Sequence, residues 1–322
     1  MAAPFLVGPL LPRASVFGQV LVVDAESGGR FGPEAVYRYR VGVRVTARKG
    51  PVRDLFGMVA VPLECPEQEI EVVDETISTH VDRADYRNVG DTRSGGDGAR
   101  QLIVSIPRLE GGAEAEALLT FEVRTKTVLP PAEPESLAVP DRKRRELKPY
   151  LGRSPMIETK NGKIRKALRE ALADSAEDEP PWKRVERIYD FVQEKVKYVE
   201  GDDKSALATL KDGSGDCQNI SALFVALCRT HGVPARMVWV HEHQYPEFCL
   251  ADADDQLLWL PCESSGSRSF GEMPLARVIL QKGDNFRVPE RKQALRYASD
   301  YLVGKPYPGS GKPRVRYIRE LV

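Results

Sequence analysis

The chain has 322 residues, enough for two domains, because single hydrophobic cores usually stop growing at about 250–300 residues. Lysine plus arginine and aspartate plus glutamate each number 47, so no net charge attracts nucleic acid or a membrane surface, and we expect neither as a partner. A hydrophobic content of 42% with no apolar run near the roughly 20 residues of a membrane span is typical of a soluble globular protein.

The N-terminal apolar stretch 5–11 is a poor signal peptide, because no basic residue precedes it and prolines interrupt its surroundings. The chain has five cysteines, an odd number without the spacing of a disulfide framework: Cys65, Cys217, Cys228, Cys249 and Cys262. Such usage favours a reducing compartment. We therefore expect a cytoplasmic protein, unless a removed signal peptide sends it to the periplasm or outside the cell.

The first part of the chain has the pattern of β-structure. Apolar and polar residues alternate from Tyr37 to Val45, as in a half-buried strand. Further short strands are predicted at 56–63, 70–73, 102–106 and 118–128, with turn-rich pieces such as 90–98 between them. Repeated strands without helices between them favour a sandwich, so we interpret residues 1–135 as a β-sandwich-like domain.

Residues 136–153 are interpreted as a linker, since prolines at 130, 131, 134 and 140 surround its start. Four consecutive basic residues, 142–145, follow. We interpret them as a solvated face rather than a nucleic-acid patch, because the total charge is balanced.

The second half changes to a helical period. Apolar residues recur at three-and-four spacing over 164–172 and 185–196, and a third helix is predicted from Cys217 to about His231, with Gly232 as its stop. Strands are predicted at 236–240, 248–250 and 257–260. Residues 154–322 are therefore expected to be an α+β core, with helices packed on an antiparallel sheet, and a C-terminal extension.

Cys217 is the strongest candidate for chemistry. It stands in the first turn of a helix, where unpaired backbone N–H groups and the helix dipole stabilise a thiolate and suit an oxyanion. Gly213 and Gly215 let the chain enter the helix without covering the sulfur. His243 follows 26 residues later (243 − 217) and is the best-placed general base. A helix-start cysteine is by itself ambiguous, since free cysteine is often simply buried.

The segment His241-Glu242-His243 allows a competing interpretation as a zinc site, because alternate strand residues face the same side. A third ligand would have to come from Cys249, Cys262 or a distant carboxylate, and no CxxC spacing is present. We therefore predict no metal and no cofactor, and interpret His241 as a surface histidine.

Several motifs in order resemble the transglutaminase-like superfamily, in particular its bacterial branch with an N-terminal β domain. The motifs are Gly215-Asp216-Cys217, Ala222-Leu223-Phe224, Leu227-Cys228-Arg229, Gly232-Val233-Pro234-Ala235-Arg236, His243-Gln244-Tyr245-Pro246-Glu247 and Trp259-Leu260-Pro261-Cys262-Glu263. The resemblance covers roughly residues 150–275, and Ile279 to Phe286 looks like the tail of the same bacterial group.

The resemblance implies a papain-like fold with a Cys-His-Asp triad. Cys217 and His243 match the first two members, whereas Glu263 stands where the family usually has aspartate. Glutamate can orient an imidazole, but its extra methylene changes its reach, so Asp252, Asp254 and Asp255 remain alternatives.

The resemblance also suggests supporting roles for neighbouring residues. Glu247 is expected to hold the site through hydrogen bonds, and Tyr245 and Trp259 to pack and shape the cleft. Cys228 is expected in the core. A redox role for Cys262, beside Glu263, stays open.

Three functional hypotheses follow. The first is a thiol enzyme that forms a Cys217 thioester from a peptide or glutamine-type amide bond and passes the acyl group to water rather than to an amine, acting as a protease or amidase more than as a transglutaminase. The second is a catalytically inactive binding or scaffolding protein, and the third is a metal or redox module. The expected partner is a protein or peptide substrate, and the oligomeric state is left open.

Overall fold

The protein is described here by a computed structural model that covers residues 30–90 and 97–322. The N-terminal stretch 5–11, interpreted above as a poor signal peptide, lies outside these residues. Within the two ranges, no helix is both long and apolar enough to cross a membrane.

A four-stranded antiparallel sheet contains the strand with the clearest sequence pattern. Its order is β14-β1-β6-β3, with β1 at Phe31–Thr46, β3 at Gln68–Ile77, β6 at Glu114–Val128 and β14 at Arg314–Leu321. The alternation predicted for β1 is present, since Tyr39, Val41, Val43 and Val45 are all buried. The last strand of the chain pairs with the first described strand, Val43 opposite Tyr317.

The second sheet has eight strands in the order β11-β10-β9-β12-β5-β2-β13, with β4 also paired to β5. The bounds are Val52–Val61 for β2, Arg83–Val89 for β4, Gly98–Leu109 for β5, Ala235–Val240 for β9, His243–Ala251 for β10, Leu257–Pro261 for β11, Ile279–Lys282 for β12 and Tyr301–Pro306 for β13. Short strand β12 joins β9 to β5, so one sheet runs from the second half of the chain into the first.

The two sheets face one another across a shared apolar core that includes Tyr39, Leu55 and Phe121. Strands β13 and β14 belong to this part of the molecule, because they pair with β2 and β1. The C-terminal extension therefore completes both N-terminal sheets, while the division of the chain at 136–153 stays a prediction.

One short 3-10 helix, Pro134–Ser136, ends at the first residue of the segment interpreted as a linker, and a second, Arg145–Tyr150, lies within it. Leu147 is buried, and Ala138 forms a β-bridge with Ala251 of β10. The segment is thus packed along the second half of the chain rather than extended through solvent. In its basic run, Arg144 pairs with Glu146 and Asp255, and the other three residues are exposed.

Helix α4 at Cys217–His231 packs on β9 and β10 of the large sheet, and α1 at Gly162–Ala171, α2 at Pro181–Lys195 and α3 at Ala206–Asp212 pack on α4. Helix α4 lies between the sheet and the other three helices, so every residue from Gln218 to Arg229 is buried. It ends at Gly232, whose left-handed φ of 92° favours glycine, as predicted. The predicted α+β class, with helices on an antiparallel sheet, is confirmed. The short helix α3 was not predicted, because seven residues are too few for a helical period to show.

Candidate active site

The chain approaches Cys217 along a tightly held path. Gly213 ends α3 in the left-handed region with a φ of 65°, and Ser214–Gly215 (β8) then pairs in parallel with Lys197–Tyr198 (β7). A Cβ on Gly215 would lie 2.7 Å from the Cβ of Asn219, which is closer than carbon atoms approach. Both glycines are therefore needed to bring Cys217 to the first position of α4.

The start of α4 is fixed by a side-chain cap. The Asp216 carboxylate accepts a hydrogen bond from the backbone N–H of Asn219 at 2.9 Å, and the Asn219 side chain accepts one from the N–H of Lys204 at 2.8 Å. The amides of Cys217 and Gln218 precede the capped one and belong to the first helical turn, where N–H groups have no partner within the helix.

Cys217 differs from the other four cysteines in its access to solvent. It is half-buried, whereas the other four are buried. Burial raises the pKa of the Cys249 thiol to about 12, and it raises the thiol pKa of the remaining three above their ordinary range. A reagent from solvent therefore meets Cys217 first, and the others are held as neutral thiols.

The His243 ring lies between Cys217 and Glu263. Its Nε2 atom is 2.6 Å from Oε1 of Glu263, and the Cys217 side chain is near enough to the ring to affect its pKa. Burial, the largest single effect, lowers the pKa of His243, but the hydrogen bonds to Cys217 and Glu263 and the charges of both groups raise it to about 9. The structure brings together the three residues singled out in the sequence.

Glu263 is held at both carboxylate oxygens. Oε1 also accepts from the backbone N–H of Ser264 at 3.1 Å, and Oε2 lies 3.3 Å from Nη1 of Arg277. Burial raises the pKa of Glu263, yet the hydrogen bond and charge of His243, together with Arg277, bring it below its ordinary value. The carboxylate is therefore ionised and fixed in orientation at neutral pH.

The alternative carboxylates lie at the other end of the β10-β11 hairpin. The Asp252 side chain accepts from the backbone N–H groups of Asp254 and Gln256 inside the turn, and Asp255 pairs with Arg144. In the described part of the chain, Glu263 is the carboxylate that contacts His243.

Two residues without a prior assignment contact Cys217, Gln244 at the thiol and Ser264 at the backbone carbonyl. The Cys217 Sγ donates to Oε1 of Gln244 at 3.1 Å, and the Ser264 hydroxyl lies 3.2 Å from the carbonyl oxygen of Cys217 and 3.3 Å from that of Gln244. The sequence could have pointed to Gln244, because it directly follows His243 in the strand motif. No such feature pointed to Ser264 and Arg277, because their proximity to the site comes from chain folding alone.

Glu247 lies in a separate buried charge network and does not contact Cys217 or His243. Its carboxylate binds Arg236 at 2.6 Å and Lys282 at 3.2 Å, and Glu67 and Asp97 extend the network as partners of these two cations. The expectation that Glu247 holds the site through hydrogen bonds is wrong, because its carboxylate binds Arg236 and Lys282. Its bonds join β9, β10 and β12 instead.

The expected packing residues divide between two places. Tyr245 is buried in a small apolar cluster with Val238 and Ile279. Trp259 packs against the guanidinium of Arg236, 3.9 Å from its ring centre, and so covers the charge network rather than the thiol. Cys228 lies in the main core, as expected.

The two histidines of the proposed zinc segment have different surroundings. His241 packs edge-on against Tyr39 with 5.2 Å between ring centres, whereas His243 binds Glu263. Over residues 30–90 and 97–322 no group of three or more His, Cys, Asp or Glu side chains is arranged to hold a metal ion.

Comparisons with known proteins agree with the motifs. Residues 167–265 match the model of the transglutaminase-like superfamily. The structure of a putative cysteine protease from Cytophaga hutchinsonii has the same fold, with a TM-score of 0.55, 17% sequence identity and coverage of 90% of this chain and 92% of that one. A putative protease from Parabacteroides distasonis has a TM-score of 0.29 and 12% identity over 85% of this chain and 47% of that one. A search of the curated proteins finds no match. Residues 167–265, which contain Cys217, His243 and Glu263, are a domain of the transglutaminase-like superfamily.

Proposed function

We propose that the protein is a thiol enzyme that cleaves peptide or glutamine-type amide bonds, with Cys217 as nucleophile, His243 as base and Glu263 as the orienting acid. One observation carries the proposal: Nε2 of His243 lies 2.6 Å from the Glu263 carboxylate, and the Cys217 side chain is near enough to the same imidazole to raise its pKa. A nucleophile, a base within reach and a third group that orients the base are the components of covalent acyl transfer.

In the first half of the reaction, the proton of the Cys217 thiol resides on His243 and the sulfur attacks the carbonyl carbon. Glu263 engages Nε2, which leaves Nδ1 as the ring nitrogen for the thiol proton. When the tetrahedral intermediate collapses, the C–N bond breaks, the amine leaves with the proton from the imidazolium, and a thioester on Cys217 remains. Glu263 stabilises the imidazolium while it exists.

The oxyanion of the tetrahedral intermediate needs hydrogen-bond donors near the sulfur. We assign the backbone N–H groups at the start of α4 to this role, since they have no partner within the helix. Gln244 is the proposed side-chain donor. Its oxygen accepts from the thiol at 3.1 Å, so a half-turn of its carboxamide directs the NH₂ group to the same place.

Water is the proposed acyl acceptor in the second half. It gives a proton to His243 as it attacks the thioester, the C–S bond breaks, and the acid leaves while the proton returns to Cys217. Hydrolysis is preferred over transfer to an amine because the protein from Cytophaga hutchinsonii that shares this fold is described as a putative cysteine protease.

The alternative of an inactive scaffold depended on glutamate replacing the usual aspartate. The 2.6 Å contact between Glu263 and His243 supports an active site instead, because the longer side chain still reaches the imidazole.

The test compares wild type with Cys217→Ala on casein and on libraries of peptides and glutamine amides. New amino termini and released ammonia report hydrolysis, and incorporation of a fluorescent primary amine reports transfer. Cys65→Ala is the matched control, because Cys65 is buried and away from the site. Equal turnover by wild type and Cys217→Ala would sink the mechanism, and amine incorporation faster than hydrolysis would assign a transferase.

A further inference from the structure

A cleft of about 660 Å³ lies beside the nucleophile. Gln218, the residue after Cys217, and Gln244, the acceptor of its thiol hydrogen bond, both line it. Half of the lining residues lie outside the domain at 167–265, including Tyr39 of β1, Arg296 and Tyr297 of the C-terminal segment, and Arg319 of β14. A substrate whose scissile carbonyl reaches Cys217 therefore meets residues that this chain adds to the domain.

Arg296 is the unusual member of this wall. Only 8% of its surface is exposed, and Nη2 donates to the carbonyl oxygen of Gln218 at 2.7 Å. Nε and Nη1 have no hydrogen-bond partner among the residues that the structure describes, so three of the five guanidinium N–H groups are unpaired there. Burial lowers the pKa of Arg296, although the charges of Asp203, Asp284, Asp216 and Cys217 act against it. The side chain stays a cation, because no shift within a protein brings arginine near neutrality.

The other buried arginines each have a carboxylate partner, which Arg296 lacks among the described residues. Among the described residues, Arg229 and Arg236 are the remaining arginines in the buried class, and each binds a carboxylate: Asp284 at 2.7 Å and Glu247 at 2.6 Å. Arg319, in the same cleft wall as Arg296, binds Asp300 at 2.5 Å. Within 30–90 and 97–322 no carboxylate forms an ion pair with Arg296, and a buried charge without a counter-ion is strongly unfavourable.

The acidic residues of the cleft do not supply this counter-ion. The Asp203 carboxylate is hydrogen-bonded by the side chain of Gln218, and the Glu242 side chain is 85% exposed. Neither forms an ion pair with Arg296. The cleft is open to a ligand at the place where the other arginines of this class have a fixed carboxylate.

We propose that the cleft is the substrate-binding subsite and that a carboxylate of the substrate pairs with Arg296. This inference rests on the proposed function, in which Cys217 attacks a peptide or amide. The preferred substrate carries a negative charge close to the scissile bond, either on an acidic side chain or at a free C-terminus. The half-buried ring of Tyr297 in the same wall provides apolar surface for the rest of the residue.

Binding to the inactive Cys217→Ala protein tests the subsite without turnover. Calorimetric titrations use three peptides: acetyl-Ala-Gln-Ala-amide, which is neutral, acetyl-Ala-Glu-Ala-amide, with a side-chain carboxylate, and acetyl-Ala-Gln-Ala with a free C-terminus. We expect one acidic peptide to bind roughly 10- to 100-fold more tightly than the neutral one, as for a hydrogen bond to a charged group. Which of the two binds identifies the source of the carboxylate.

The charge contribution is isolated by adding Arg296→Met to Cys217→Ala, with Arg83→Met as the matched control. Arg83 forms an exposed pair with Asp85 on β4. We expect Arg296→Met to abolish the difference between acidic and neutral peptides, Arg83→Met to preserve it, and the melting temperature not to fall in either. Equal binding of all three peptides, no binding of any, or a preference that survives Arg296→Met would overturn the proposal. Because no outcome depends on catalysis, failure here is distinct from failure of the Cys217 mechanism.

Discussion

The Nε2 atom of His243 lies 2.6 Å from Oε1 of Glu263. Residue 263 is the sequence position at which the superfamily that this chain resembles usually has aspartate. Glu263 follows directly after the end of β11, and its second oxygen is 3.3 Å from Arg277, beyond the residues that match the family model. The additional methylene is thus accommodated by a second contact that fixes the far side of the carboxylate.

Substitutions of Glu263 should distinguish the contribution of its negative charge from that of its side-chain length. We expect Glu263→Gln to lower kcat roughly 100- to 10,000-fold, because the amide neither stabilises the imidazolium nor enforces its tautomer. Glu263→Asp should lose less but still be impaired, since the shorter side chain moves away from either His243 or Arg277. Steady-state kinetics on the best peptide measure both. An unimpaired Glu263→Gln enzyme would show that this carboxylate does not orient the base.

Arg277 is predicted to be a positioning residue. Arg277→Met should reduce kcat roughly 3- to 10-fold, the contribution of one partly exposed charged hydrogen bond, and leave KM nearly unchanged. Arg277→Lys should recover part of the loss. The readout that separates positioning from general damage is the pH profile: the alkaline pKa should move downward, because Glu263 is held less firmly against His243. A parallel fall in melting temperature with an unmoved pH profile would contradict this role.

The pKa of His243, about 9, predicts how activity changes with pH. The imidazolium gives its proton to the leaving amine, so kcat/KM should fall as the pH rises through about 9. In Glu263→Gln, the hydrogen bond to a charged carboxylate is lost, and the alkaline limb should shift toward the ordinary histidine value of about 6.5. A pH series of kcat/KM with wild type and this variant checks the assignment.

The same pKa has a consequence for folding. The pKa of His243 is higher in the folded protein than in the unfolded chain, so the folded state gains stability from its proton below about pH 6.5 and loses it as the pH rises to about 9. The loss should be on the order of 2 kcal/mol after screening by solvent. Urea unfolding of wild type and His243→Gln between pH 6 and 10 measures it. Identical pH dependence in the two proteins would refute the raised value.

Arg229, in the motif that ends α4, has a structural role. Its guanidinium binds Asp284 at 2.7 Å with both side chains fully buried, and it donates to the carbonyl of Ala235. Arg229→Met should lower the free energy of unfolding by about 3–5 kcal/mol, because it leaves Asp284 charged and buried. Arg229→Met/Asp284→Leu should recover much of that loss. A double variant no more stable than the single one, by denaturant titration, would contradict the explanation.

Much of the fold could be predicted because its signals are local. Alternation predicted β1, three-and-four spacing predicted α1 and α2, and Gly232 predicted the end of α4. These features depend on backbone geometry and on side chains within a few positions, which a single sequence records. Helix α3 and the strands after residue 275 were not predicted, since their formation depends on partners far away in the chain.

Cys217 and His243 could be predicted as candidate residues from the sequence, because a glycine-flanked cysteine at a helix start and a histidine on the following strands are local patterns with a physical meaning. The carboxylate that reaches the imidazole is set by the three-dimensional fold, since the hairpin carries Asp252, Asp254 and Asp255 away and brings Glu263 to Nε2. The fold alone also placed Glu247 in a buried charge network and left Arg296 without a counter-ion among the described residues of the cleft. Such pairings depend on distances of a few ångströms between residues that are far apart in the chain, and no spacing in the sequence encodes them.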